Sequence, residues 1–109
     1  MMMKRHHALL AATLLALSPA AFAKGNPDAG KAKSTACQAC HGVAGQSASP
    51  EFPHLAGQHS DYLFTALRHY KLGKRKNGIM AGQVANLSEA DMRDLAAFYA
   101  SQKGLSVKY

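Results

Sequence analysis

Residues 37–41 read Cys37-Gln38-Ala39-Cys40-His41, a Cys-x-x-Cys-His motif that contains both cysteines of the 109-residue chain. This pattern is typical of the attachment site of a c-type haem. Two thiols three residues apart at a helix end can add across the two vinyl groups of a haem and form thioethers. The histidine that follows is then held beneath the iron as its proximal ligand. The motif therefore predicts one haem c, bound covalently through both cysteines, with His41 on the iron.

A Cys-x-x-Cys pair also occurs in thioredoxin-like redox motifs, in zinc sites and in disulfides. A thioredoxin-like pair lies beside a βαβ pattern, which this sequence does not show. A zinc site needs further ligands, and the spacing of His54, His59 and His69 matches no zinc pattern. A disulfide that closes so short a loop would stabilise the chain little. We therefore favour the haem over these alternatives.

The first 23 residues have the three-part layout of a secretory signal peptide. A positive start at Lys4 and Arg5 is followed by an apolar run over residues 8–17 and by a small-residue site that ends at Ala23. This layout predicts cleavage after Ala23 and a mature domain over residues 24–109. The apolar run is shorter than the roughly 20 residues that span a bilayer, so a retained membrane anchor is the less favoured alternative.

The mature region is one small domain, near the size at which a protein core alone is marginal. A buried haem would supply much of its apolar centre, and we expect the apo-protein to fold poorly. The full chain carries 13 Lys and Arg against 6 Asp and Glu. Four of the basic residues lie in one stretch, Lys71, Lys74, Arg75 and Lys76. This stretch is either a solvated loop or a surface for an acidic protein partner or the haem propionates; an exported protein is not expected to bind nucleic acid.

The mature sequence has helical patterns and no convincing strand pattern, so we predict an all-α fold with about three helices. The first helix should begin at Asn26-Pro27-Asp28, which supplies a cap, a proline at the first helical position and an acid in the first turn. A second should run from near Ser60 to a glycine cap at Gly73. The last should begin with a capping box at Ser88 and end at residues 101–104.

The second axial position of the iron needs a ligand of its own. After cleavage the chain holds two methionines, Met80 and Met92. Met92 falls in the first turn of the last predicted helix, where we expect it in the core. Met80 falls in a predicted loop, residues 74–86, where an apolar side chain has no periodic reason to be. A thioether is a soft, neutral ligand, so we predict Met80 on the iron, with the other three histidines of the mature chain as alternatives.

The order of these features resembles the class I cytochromes c. The shared order is a Cys-x-x-Cys-His motif near the start, a Pro-x-Leu-x-Gly segment at residues 53–57, a loop methionine and a final capped helix. Four short segments (residues 41–42, 55–58, 73–75 and 85–88) are similar to one half of the small dihaem periplasmic cytochromes c. The resemblance covers nearly all of the mature region. It implies a small cytochrome c fold, helices and loops wrapped around one covalently attached, His/Met-ligated haem.

The resemblance also implies roles for single residues. Pro53 matches the proline whose carbonyl accepts the free ring N–H of the haem histidine, a bond that orients the ring. Gly30 and Phe98 match the pair at which the first and last helices cross, so a β-carbon at residue 30 should collide with the phenyl ring. Arg75 and Tyr70 match positions where the family often has groups near the haem edge.

The resemblance implies an electron carrier rather than an enzyme, located in the periplasm because bacteria attach c-type haem outside the cytoplasm. With His41 and Met80 both on the iron, no site remains for oxygen or peroxide. We expect redox partners with acidic surfaces, such as a membrane reductase, a terminal oxidase or a periplasmic dehydrogenase, and no stable membrane insertion after cleavage. Two alternatives stay open. One is a haem peroxidase or gas sensor with a labile Met80, since Ala81 stands where many relatives have proline. The other is a cytochrome subunit dedicated to a larger redox enzyme.

Overall fold

The computed structural model describes residues 2–3 and 24–104. Within these residues the chain forms five helices and no strands, which confirms the predicted all-α class. They are α1 (Pro27–Lys33), α2 (Thr35–His41), α3 (Ser60–Leu72), α4 (Gly78–Val84) and α5 (Glu89–Ala100). The predicted leader and its cleavage site lie outside the described residues, apart from residues 2–3. Across the described part of the chain, no helix has the length and apolar character needed to cross a membrane.

The first predicted helix is divided into α1 and α2 at Ser34. It begins as predicted, because the Asn26 side chain accepts a hydrogen bond from the Ala29 N–H at 3.0 Å. At Ser34 the backbone N–H donates to the carbonyl of Lys31 at 3.2 Å, and the buried hydroxyl donates to the same oxygen at 2.7 Å. This three-residue spacing is that of a 3₁₀ turn. It separates α1 from α2, which carries the Cys-x-x-Cys-His motif.

Helix α1 crosses α5 in close contact at Gly30. A β-carbon there would overlap the backbone carbonyl of Asp94 and lie 2.8 Å from Cβ of Phe98. The predicted crossing is therefore present, but the expected clash with the phenyl ring is wrong. The obstacle is mainly the backbone of α5, which can move less than a side chain can.

An ion-pair cluster links α1 to α5 beside this crossing. Lys33 Nζ lies 2.8 Å from a carboxylate oxygen of Asp91 and 2.6 Å from one of Asp94. The other oxygen of Asp94 accepts a hydrogen bond from the Asn26 N–H at 2.8 Å. Asp91 also forms the predicted capping box with Ser88.

Helix α5 supplies most of the core. Its buried residues Leu95, Ala96, Phe98 and Tyr99 pack with Leu63 of α3, and Met92 is buried as predicted. Helix α3 ends at Gly73, whose φ of 74° is in the left-handed region that glycine adopts most readily. These helices surround the segments that carry the site.

The prediction that Met80 lies in a loop is wrong, because residues 78–84 form the short helix α4. Asn77 caps this helix, and its side chain accepts a hydrogen bond from the Met80 N–H at 3.0 Å. Two of its seven residues are glycines, and each lowers helix propensity by about 1 kcal/mol relative to alanine. Tertiary contacts with α3 stabilise a helix that the local sequence disfavours.

Candidate haem-binding site

One cavity of about 480 Å³ collects all five predicted site residues. Cys37, Cys40 and His41 line it from α2, Pro53 from the loop before α3, and Met80 from α4. Much of the remaining wall is apolar or aromatic and comes from α3 and α5: Leu63, Ala66, Leu67, Tyr70, Leu95, Ala96 and Tyr99. Residues distant in the sequence thus meet around a single largely apolar space.

The two cysteines are free thiols at the C-terminal end of α2. Both are half-buried and face the same cavity, so the disulfide alternative is not what the structure shows. Burial raises the pKa of the Cys37 thiol above its ordinary value. Cys37 is therefore mainly a neutral thiol near pH 7 in this structure.

The His41 ring is held by a backbone hydrogen bond. The side chain is only 7% exposed, and Nδ1 lies 2.9 Å from the carbonyl oxygen of Pro53. Because a carbonyl oxygen can only accept, Nδ1 must carry the proton, and Nε2 keeps the lone pair that binds a metal. The hydrogen bond that the resemblance implies is thus present, and it fixes the ring before any metal binds.

The loop that carries Pro53 is itself fixed at several points. Gly45 accepts hydrogen bonds from the N–H groups of Leu55 and Ala56 at 2.8 and 3.1 Å. The Ser47 N–H donates to Nδ1 of His54 at 2.9 Å. In neutral His54 the proton must then be on Nε2, so this ring has no free lone pair for iron unless the loop bond breaks.

The other ligand alternatives also lie in less suitable places. Met92 is fully buried in the core, and His59 and His69 are not among the residues that line the cavity. Met80 is half-buried on the cavity wall. Within residues 2–3 and 24–104, no three His, Cys, Asp or Glu side chains are grouped so as to hold a metal ion by themselves.

The four residues of the basic stretch make different contacts. Lys71 donates to the backbone carbonyl of Leu87, and Lys74 and Lys76 are exposed. The Arg75 guanidinium lies 4.9 Å from the centre of the Tyr70 ring and donates to the Tyr62 hydroxyl at 3.3 Å. Arg75 therefore belongs to the cavity wall, whereas the two exposed lysines belong to the surface.

Sequence reasoning missed three residues of the cavity wall. Tyr62 and Ile79 line it while remaining 51% and 62% exposed, which places apolar surface at the cavity mouth. Tyr99 lies on the apolar face of α5, and it is 4% exposed in the cavity wall. Helical periodicity predicts the face of a helix on which a residue lies, but it does not predict which groups the side chain contacts. The position of the Tyr99 hydroxyl in the cavity wall could therefore not be predicted.

These features fit a covalently bound haem. The cavity offers two thiols on one helix end, a histidine in the ligating tautomer, a thioether and apolar walls. That donor set is the one that c-type haem requires. It suits neither a zinc ion nor a dithiol redox pair alone.

The comparison with known families agrees with this chemistry. The cytochrome c family model matches residues 27–103. The chain belongs to the cytochrome c family. It therefore carries a c-type haem, for which Cys37 and Cys40 are the available thiols.

Individual relatives include proteins about twice as long and one that the matched region covers almost completely. Cytochrome c4 of Pseudomonas aeruginosa is 47% identical over 89 residues, which are 82% of this chain and 44% of that protein. Cytochrome c-554(548) of Halomonas halodenitrificans is 40% identical over 82 residues, 72% of this chain and 99% of that protein. The thiosulfate dehydrogenase electron acceptor of Thiomonas intermedia is 37% identical over 99 residues, 87% and 43% of the two chains.

A solved structure has the same fold. The crystal structure of reduced recombinant cytochrome c4 from Pseudomonas stutzeri superposes with a TM-score of 0.71 at 44% identity, over 78% of this chain and 49% of that one. The chain thus spans about half the length of the cytochrome c4 proteins that it matches. This confirms the predicted resemblance to one half of a dihaem cytochrome.

Proposed function

We propose that the protein is a periplasmic electron carrier whose haem c is ligated by His41 and Met80. The observation that carries this proposal is that one apolar cavity is lined by both thiols, by a histidine in the ligating tautomer and by a half-buried methionine. When bound, the haem supplies a one-electron ferrous/ferric couple. Electron carriers of the cytochrome c family work without bond-making at the iron, and two protein ligands leave no position for a substrate.

The chain's own residues would bind, orient and shield the cofactor. Pro53 keeps Nδ1 of His41 protonated and so leaves the Nε2 lone pair free, where it would bind the iron. Met80 would supply a neutral sulfur from α4, a combination with histidine that raises the reduction potential. The apolar residues of α3 and α5 exclude water, which keeps the environment similar in the two oxidation states.

The cavity mouth supports a transient redox partner with an acidic surface. Tyr62 and Ile79 expose apolar surface there, and Lys74 and Lys76 are exposed nearby in sequence. Small apolar contacts surrounded by charges suit short-lived encounters, in which opposite charges raise the association rate. The partner class is therefore a redox protein such as a reductase, an oxidase or a dehydrogenase.

A carbon monoxide titration tests the carrier against the peroxidase or gas-sensor alternative. Ferrous holo-protein with both axial positions filled should leave its visible spectrum unchanged under carbon monoxide, while a Met80→Ala variant should bind the gas and shift its Soret band. Rapid binding by the wild type would mean an open or labile sixth position. That result would favour sensing or catalysis.

A second candidate is an acceptor dedicated to one enzyme. The observation that favours it is the 37% identity to a thiosulfate dehydrogenase electron acceptor. A purified thiosulfate dehydrogenase with thiosulfate should then reduce the oxidised holo-protein much faster than it reduces an unrelated cytochrome c. Equal rates would favour a general shuttle.

We also propose that residues 1–23 are a signal peptide removed after Ala23 and that residues 24–109 are the mature cytochrome domain. The sequence layout of a positive start, an apolar run and a small-residue site supports this. Mass spectrometry of protein released from the periplasm should find Lys24 at the N-terminus. A chain that stays with the membrane fraction and retains Met1 would contradict export with cleavage.

A further inference from the structure

The hydroxyl of Tyr99 is a buried polar group that the haem ligands do not use. Tyr99 is 4% exposed and lines the same cavity as Cys37 and His41. Among the residues that the structure describes, no group lies in hydrogen-bonding geometry with this hydroxyl. A buried tyrosine hydroxyl usually finds a partner, and leaving one unpaired costs about 1–3 kcal/mol. An unpaired hydroxyl in the wall of a cofactor cavity therefore needs an explanation.

The aromatic ring is held in place on more than one side. Gly45 packs against its edge so closely that a β-carbon there would come within 2.8 Å of Tyr99 Cδ1. The Phe98 ring lies 4.9 Å away, centre to centre. The Tyr99 carbonyl accepts a hydrogen bond from the Gly57 N–H at 3.0 Å. The ring has little freedom to turn the hydroxyl towards another group.

Cys37 packs against the buried cluster that contains Tyr99, and its thiol and the Ser34 hydroxyl are polar neighbours of the Tyr99 hydroxyl. Ser34 already donates to the Lys31 carbonyl and accepts from the Gln38 amide. Burial raises the pKa of Tyr99 well above its usual value, so the group remains a protonated donor at any physiological pH. Cys37 is the neighbour whose bonding changes when haem is attached.

Thioether formation converts Cys37 into an acceptor only. The S–H bond breaks, a C–S bond forms to one vinyl carbon, and the hydrogen goes to the other vinyl carbon with no net oxidation or reduction. The resulting sulfur has no hydrogen to donate and keeps its lone pairs, as in a methionine thioether. A donor held beside it, such as the Tyr99 O–H, then meets a group that can only accept.

We propose that the Tyr99 hydroxyl donates a hydrogen bond to the thioether sulfur of Cys37 and thereby raises the reduction potential of the haem. Tyr99 is a positioning residue that acts through Cys37. The proposal rests on the proposed function, in which haem is attached at Cys37. It adds one residue, Tyr99, that helps to set the reduction potential of that haem. The physical reason for the direction is that an O–H dipole whose positive end faces the cofactor stabilises the state with the extra electron.

The test is the reduction potential of holo-protein carrying Tyr99→Phe, measured by equilibrium titration against a dye of known potential. The substitution removes one oxygen atom and keeps the ring packed on Gly45. We expect the equilibrium constant for reduction to fall by roughly two- to fivefold, the size of one weak hydrogen bond. Ser101→Ala is the control, because it also removes one hydroxyl group from the end of α5, but that hydroxyl donates to the Phe98 carbonyl and does not line the cavity; it should leave the potential nearly unchanged.

A second variant separates the two neighbours of the hydroxyl. If Cys37 is the partner, Tyr99→Phe should lower the potential equally in the wild type and in a Ser34→Ala background. The optical spectrum of each variant is recorded first, so that a failure of haem attachment or of ligation is seen separately. An unchanged potential in Tyr99→Phe, or an effect that disappears in the Ser34→Ala background, would overturn the proposal.

Discussion

At the scale of single residues, Gly30 shows how packing reverses an intrinsic preference. Replacing a helical glycine by alanine normally stabilises a helix by about 1 kcal/mol. At residue 30 the new methyl group would overlap the Asp94 carbonyl, and overpacking of this kind costs about 1–3 kcal/mol. We therefore expect Gly30→Ala to lower the free energy of unfolding of the holo-protein, measured by denaturant titration.

A matched control for this substitution is Gly82→Ala in α4. Nothing lies within 4 Å of a β-carbon built there, so only the helix preference should change. We expect this variant to be as stable as the wild type or slightly more stable. If the two variants had the same stability, the contact between α1 and α5 at Gly30 would not be as close as described.

The sequence predicted some single residues of the site correctly and gave no information about others. The motif identified the thiols and His41 because covalent haem attachment requires adjacent positions in the chain. The pairing of His41 with Pro53 came only from the family resemblance, and the hydrogen bond is present. A role for Tyr99 could not be predicted, since its neighbour Cys37 lies 62 positions away in sequence. The obstacle at Gly30 is the Asp94 backbone rather than the Phe98 ring, because a family pattern pairs residues and does not show which of their atoms meet.

At the scale of elements, the cluster of Lys33 with Asp91 and Asp94 makes the contact between α1 and α5 sensitive to acid. The hydrogen bond from Lys33 lowers the pKa of Asp91 from its ordinary value of 3.8 to about 2, and hydrogen bonds from the Asn26 N–H and then Lys33 lower that of Asp94. A carboxyl with a depressed pKa in the folded state contributes stability that is fully present above its ordinary value. That contribution is lost as the pH falls towards the folded value.

We accordingly expect the melting temperature of the holo-protein to fall between about pH 4 and pH 2 more steeply in the wild type than in Asp91→Asn. Asp28→Asn is the control, because Asp28 takes part in no ion pair among the described residues. Its melting curve should follow the wild type. Parallel pH profiles for the wild type and Asp91→Asn would show that the cluster contributes nothing to acid stability.

The elements themselves were predicted unevenly. Capping signals placed the starts of α1 and α5 correctly, since a cap is encoded within four residues. The break at Ser34 and the existence of α4 were missed. Both depend on tertiary contacts: Ser34 is fully buried, and α4 packs on α3 despite two glycines. Local propensity alone cannot detect such elements.

At the scale of the whole molecule, a large cavity in so small a domain should make folding depend on the cofactor. The cavity of about 480 Å³ separates α2, α3, α4 and α5, and an unfilled apolar cavity is destabilising in proportion to its size. We expect a Cys37→Ser/Cys40→Ser double variant, which cannot attach haem, to lose cooperative thermal unfolding by circular dichroism. The holo wild type should unfold in one sharp transition; equal cooperativity in both would mean that the protein core suffices.

The central claim is that Met80 completes the coordination of a haem attached at the Cys-x-x-Cys-His motif. The most direct measurement is the optical spectrum of the oxidised holo-protein, with the near-infrared edge included, for the wild type, Met80→Ala and Met92→Leu. We predict a methionine–iron charge-transfer band in the wild type that persists in Met92→Leu, where only the core changes, and disappears in Met80→Ala. A band that survives Met80→Ala, or a wild type that lacks it, would contradict the account.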